Sequence, residues 1–88
     1  MPFDALDLCT ATEFVRWVLA RVDDVPPEVD VVLDLAGVEF VMAAGVQALL
    51  DLDVALEERG LSLRVAGAAP IVARVLDICG VAARWSAS

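Results

Sequence analysis

Only a few side chains in this sequence are of types that could carry chemistry. Two are thiols, Cys9 and Cys79. Asp34 is a single carboxylate inside an apolar run, and Asp51, Asp53, Glu57 and Glu58 follow one another along a short stretch. All six basic residues are arginines (Arg16, Arg21, Arg59, Arg64, Arg74 and Arg84), and histidine, lysine, tyrosine and asparagine are absent. Without His or Lys the chain has neither the usual general base nor a Schiff-base amine. Two cysteines without histidine leave a zinc site incomplete. No nucleophile pair, base or glycine-rich phosphate loop accompanies Asp34, so its expected role is structural or edge-facing. The expectation is a protein that is not an enzyme and needs no cofactor and no metal.

The charge balance narrows the partners. With 14 acidic residues against 6 basic ones the net charge is −8, which argues against nucleic acid, since phosphate backbones need a basic footprint. The apolar content is 60% of 88 residues, yet the longest uninterrupted apolar stretch runs only from Phe40 to Val46. A bilayer span needs ~20 residues, so direct membrane insertion is not expected. The opening Met-Pro-Phe-Asp-Ala-Leu-Asp lacks the basic and apolar regions of a signal peptide. A cytoplasmic location is expected, and the residue usage resembles translation from a GC-rich, bacterial genome. In a reducing compartment, two buried thiols are the favoured reading of Cys9 and Cys79; a redox pair is the alternative and needs Cα atoms within ~7 Å.

The elements that must position these residues alternate in period. Thr10-Ala-Thr-Glu13 has the spacing of a capping box, followed by apolar residues at Phe14, Val15, Trp17, Val18, Leu19 and Val22 on one helical stripe. Pro26 and Pro27 close that helix. Val29 to Val38 reads as a buried strand, rich in Val and Leu. A second helix is expected from about Ala43 to Arg59, with Leu49, Leu52 and Leu56 inward and Gly60 as its left-handed stop. Leu61 to Val65 alternates as a half-buried strand. Pro70 suits the first position of a third helix, whose apolar face is Ile71, Val72, Val75, Leu76 and Cys79 and whose stop is Gly80. Phe3 to Leu8 and the tail through Trp85 are candidate short strands. Repeated strand–helix units imply an α/β fold with a mainly parallel sheet; a three-helix bundle competes with it, against the β-favouring composition between the helices. One domain, residues 1–88, is expected at this length.

Three segments together resemble a STAS domain, the family of anti-sigma factor antagonists. Ala5-Leu-Asp-Leu-Cys-Thr-Ala is similar to the family's approach to its first helix. Val31-Val-Leu-Asp-Leu-Ala-Gly-Val-Glu-Phe-Val41 followed by Ala44-Gly45 is similar to its central strand and the Asp-Ser-Ser-Gly or Asp-Ser-Ala-Gly turn. Pro70 to Gly80 is similar to the last helix. The resemblance covers roughly residues 4–85. It implies a STAS-like β/α superhelix with about four strands, three helices and the family's first strand missing.

The departures from the family pattern bear on function. In switched members the residue after the Asp of that turn is a Ser or Thr phosphorylated by a partner kinase, where a helix amino terminus stabilises the phosphate. The corresponding residues here are Met42 for the Asp, Ala43 for the acceptor and Ala44 next. By the resemblance, position 43 is a lost phosphosite. Met42, Ala43, Ala44, Gly45, Val46 and Gln47 are then the candidate partner-binding segment; the competing reading is a degenerate turn that merely packs. The resemblance implies a protein-binding regulator whose partner is an anti-sigma factor or kinase-like regulator. The alternative is an accessory subunit or scaffold of a larger complex, such as a lipid-transport ABC system. A shortened sheet would also leave an unpaired edge, through which a homodimer could form. Asp51, Asp53, Glu57 and Glu58 are expected on an exposed acidic helix face, either simply solvated or steering a basic partner. Trp17 and Trp85 are expected in the core, with Trp85 alternatively at an interface.

Overall fold

The computed structural model describes residues 2–85. In chain order the elements are β1 (Ala5–Leu6), α1 (Ala11–Arg21), β2 (Asp30–Asp34), β3 (Phe40–Val41), α2 (Ala43–Glu58), β4 (Ser62–Ala66), α3 (Pro70–Ile78) and α4 (Ala82–Trp85). This is the α/β alternation expected, with three principal helices and four short strands. The pairing is parallel throughout the described residues, but it is split into two ladders. β2 pairs with β4 from Asp30↔Ser62 to Asp34↔Ala66, and β1 pairs with β3 through Ala5↔Phe40 and Leu6↔Val41.

The strand expected from Val29 to Val38 spans only Asp30–Asp34, because Asp34 turns the chain. Its Oδ1 accepts the N–H of Ala36 at 2.9 Å, and the Val38 N–H donates to the Leu35 carbonyl at 2.9 Å, closing a turn. Asp34 therefore has a structural role, as its isolation from other chemical groups suggested. A side chain at Gly67 would meet that same Asp34 carboxylate, with Cβ 2.5 Å from Oδ1, and Gly67 holds φ +70°. Glycine here lets the end of β4 pass the turn.

Helix α1 does not begin with the expected capping box. Neither Thr10 nor Glu13 makes the box hydrogen bonds. Asp7 takes over instead: its Oδ1 accepts the N–H groups of Cys9 at 2.9 Å and Thr10 at 3.1 Å, and its carbonyl accepts Ala11 N–H at 2.9 Å. Thr10 is turned back towards the strand, its hydroxyl accepting from Asp7 N–H and donating to the Ala5 carbonyl, both at 3.0 Å. The physical reason is position: a carboxylate three residues earlier reaches the free N–H groups first and carries a full charge to them.

The core gathers Phe14, Val18 and Val22 of α1, Leu49, Leu52 and Leu56 of α2, Leu33, Leu63, Val72 and Leu76. Each fully buried residue of this kind contributes roughly 1.5–3 kcal/mol of transfer free energy. α1 packs on α2, α2 lies against β4 and the β1–β3 ladder, and α3 lies against β3. On α3 the inward face is narrower than its apolar sequence suggests. Val72 and Leu76 are buried and Val75 is half-buried, whereas Ile71, Ile78 and Cys79 are exposed. Cys9 is exposed as well, so the expectation of buried thiols is corrected: both are free and on the surface.

The end of the described chain is a helix and not the short strand expected there. α4 carries Trp85 into the core, 1% exposed, where its indole Nε1–H donates to Asp53 Oδ2 at 3.2 Å. The same oxygen receives Arg84 Nε at 2.6 Å, and Arg84 Nη2 lies 3.9 Å from Glu57 Oε1. Asp53 is thus buried, 4% exposed, and the acidic face expected on α2 loses one member while Asp51, Glu57 and Glu58 stay outside. A periodicity argument places Asp53 outward because carboxylates prefer water; a tryptophan N–H and an arginine 31 positions away supply what water would have. The Asp53 hydrogen bond, and then its charge, raise the Arg84 guanidinium pKa above its ordinary value. The cation therefore persists at any working pH.

This anchor generates a prediction. Asp53→Ala leaves the indole N–H buried without an acceptor, a loss expected to cost about 1–3 kcal/mol in urea unfolding. Asp53→Asn keeps a carbonyl oxygen for Trp85 and should retain a clear part of that stability.

Candidate protein-docking site

The candidate segment lies where the β1–β3 ladder hands over to α2. Met42 is the N-cap residue, extended at φ −94° and ψ 171°, and no side chain caps the helix. Its own N–H donates to the Leu6 carbonyl at 2.8 Å and its carbonyl accepts Val46 N–H at 3.0 Å. The helix start is therefore tied directly onto β1. Gly45 tightens this contact. It is buried, and a Cβ there would sit 2.7 Å from Leu6 Cβ and 2.8 Å from the Leu6 carbonyl carbon. Only a hydrogen allows α2 so close to the strand.

That contact sorts the six candidate residues. Gly45 and Val46 face inward and hold the helix down. Met42, Ala43 and Gln47 are exposed and Ala44 is half-buried, so these four can meet a partner. Ala43, the position matching the family's phosphorylated residue, presents a methyl group to solvent at the first turn. Gln47 bonds along its own helix, Nε2 to Asp51 Oδ1 at 3.0 Å.

The structure adds residues that the sequence reading missed. Two neighbouring depressions flank the helix start. One, about 380 Å³, is lined by Asp7, Leu8, Cys9, Met42, Ala43 and Ala44. The other, about 480 Å³, runs between α1 and α2 past Leu8, Ala11, Val15, Ala44, Gln47 and Ala48. Leu8 and Ala44 belong to both, and Leu8 is 84% exposed, the most exposed of the large apolar side chains described. Met42 is 54% exposed beside it. An apolar leucine in a turn, just after an aspartate that caps the next helix, was the available sequence signal. Cys9 also lines the smaller depression, whereas Cys79 is the C-cap of α3.

Chemically, this surface is suited to burying apolar groups. Its rim carries Asp7, Asp51 and Arg16, and its floor is alanine and valine. Among the described residues no cluster of metal-ligating side chains occurs. Among the same residues no helix is long and apolar enough to cross a membrane.

A parallel α/β fold, in which a central strand runs through a turn into a glycine-bearing helix start pressed on the first strand, has the architecture of a STAS-like domain. The chain belongs to the STAS domain family: the family model described as “Mlab, STAS domain” matches residues 4–83. No curated protein matches it.

Two substitutions test how this site is held. Gly45→Ala should destabilise the protein by about 1–3 kcal/mol, because the new methyl meets β1 backbone that cannot retreat. Met42→Asp should do the opposite, raising stability by about 1 kcal/mol by giving α2 the N-cap it lacks. Thermal and urea unfolding read both signs.

Proposed function

We propose that this protein is a non-enzymatic binding module that docks a protein partner on the surface formed by Leu8, Met42, Ala43, Ala44 and Gln47. The observation that carries the reading is a continuous apolar surface around a tied-down helix start, with Leu8 84% and Met42 54% exposed. Isolated exposed apolar residues are ordinary; a grouped set beside two joined depressions marks an interaction site. Position 43 offers no hydroxyl, so binding there is not switched by phosphorylation at that residue. Docking is constitutive and set by the abundance of the partners.

By resemblance to the anti-sigma factor antagonists, the partner is an anti-sigma factor or a kinase-like regulator in the cytoplasm of a bacterium. The second reading, an accessory subunit of a larger complex such as a lipid-transport ABC system, is supported by the permanence of the apolar surface. Lasting interfaces are more hydrophobic than switched ones. Affinity purification from the host separates the two: an anti-sigma kinase supports the first, and an ATPase subunit the second. Leu8→Arg or Ala43→Glu should weaken capture of that partner at least tenfold, or about 1.4 kcal/mol, while leaving the unfolding midpoint nearly unchanged. Capture that is indifferent to both substitutions would sink the proposed surface. Ala43→Ser should become a substrate if the partner is a kinase of the family's kind.

A further inference from the structure

A second surface lies along the free edge of β2. Ser62 N–H donates to the Val29 carbonyl, and Leu35 N–H donates to the Ala66 carbonyl. In a parallel ladder, alternate residues point both backbone groups to the same neighbour, so Val29, Val31, Leu33 and Leu35 face β4. Asp30, Val32 and Asp34 point theirs to the other edge, where no strand pairs among the described residues. Alongside that edge runs a groove of about 260 Å³. Trp17, Val18 and Val22 of α1 form one wall and Val31 to Asp34 of β2 the other, with the inward side chains of Val31 and Leu33 beneath and Arg21 stacked 4.3 Å over the Trp17 ring.

We infer that this edge accepts an extended segment of a protein partner, added as a strand beside β2, in which apolar residues alternate with Lys or Arg. Side chains of an added strand alternate between the two faces of the sheet. Those on the face of Val31 and Leu33 enter the apolar groove. Those on the opposite face lie beside Asp30, Val32 and Asp34, all exposed, where opposite charge is favoured across strands. Arg64 partly answers Asp30, at 3.0 Å, but that pair is open to solvent and contributes little. The whole chain, at −8, adds long-range attraction for a basic segment.

The same carboxylates exclude the obvious competitor. A second copy pairing antiparallel about Val32 would set Asp30 across from Asp34 of its partner, twice, between two molecules of −8 each. β2 contains neither of the common guards of an open edge, Lys or Pro. Its two aspartates guard it against self-pairing while leaving it open to cations.

The experiment uses the full chain and a fluorescein-labelled peptide of eight residues alternating Val and Lys, with a Val–Glu peptide as control. Fluorescence anisotropy should show binding of the Val–Lys peptide that weakens with salt, and none of the Val–Glu peptide. Val32→Pro removes only an N–H that the β2–β4 ladder does not use, and should reduce binding about tenfold or more at an unchanged unfolding midpoint. Asp30→Lys offers a second route if the proline variant does not fold, and should cut Val–Lys binding by up to about fivefold. Absent binding, equal binding of both peptides, or binding that a folded Val32→Pro and Asp30→Lys both leave untouched would overturn the inference. So would sedimentation showing a dimer that Val32→Pro dissolves, which would make the second copy the occupant. Loss of the partner captured at Leu8 tests a different face, so the two surfaces stand or fall separately.

Discussion

The contact between Gly45 and the backbone of Leu6 is the constraint on which the site depends. Helix α2 can start where it does only because its third residue has no side chain. That closeness lets Met42 N–H bond the Leu6 carbonyl and fixes the direction of α2 against the β1–β3 ladder. It also brings the turn after β1, with Asp7 and Leu8, beside the first turn of α2. The candidate apolar surface is built from those two turns. A helix displaced by a methyl group would separate them, since packed backbone does not yield cheaply.

Carboxylates in this acidic chain divide into those that hold the fold and those that give it its field. Asp7 starts α1, Asp34 turns β2 into β3, and Asp53 ties α4 to α2. Each works by accepting N–H groups in charge-assisted hydrogen bonds, and of these the bond from the Trp85 indole to Asp53 is the one buried from water. The remaining acids lie outside, among them Asp30, Asp51, Glu57 and Glu58. Their summed field attracts positive charge and repels negative charge.

The candidate site was half legible. Its α2 side could be read because a glycine that matches the family pattern and a hydroxyl missing from it fall in a single stretch, Met42 to Gln47. Its α1 side could not, because Leu8 and Cys9 become neighbours of Met42 only once β1 pairs with β3. Gly45 and Val46 were grouped with the candidate partner-binding residues because sequence adjacency does not say which side of a helix start faces the strand. Asp53 was misplaced for a similar reason. Its burial depends on Trp85 and Arg84, which no local window contains.

By itself the sequence determined the kinds and order of the elements. Heptad-like spacing of Leu49, Leu52 and Leu56, the Val-rich run before them, and the stops at Gly60 and Gly80 are local signals, and local backbone preferences obey them. Both glycines hold φ +76° as those stops require. The tertiary structure alone decided that the strand pairing splits into two ladders, that α3 leaves Ile71 and Cys79 in water, that Ala82–Trp85 folds as a helix over Asp53, and that one edge of β2 has no partner strand among the described residues. Those outcomes depend on which distant groups arrive to satisfy a donor, a carboxylate or an apolar face, and that competition is settled only when the chain has closed on itself.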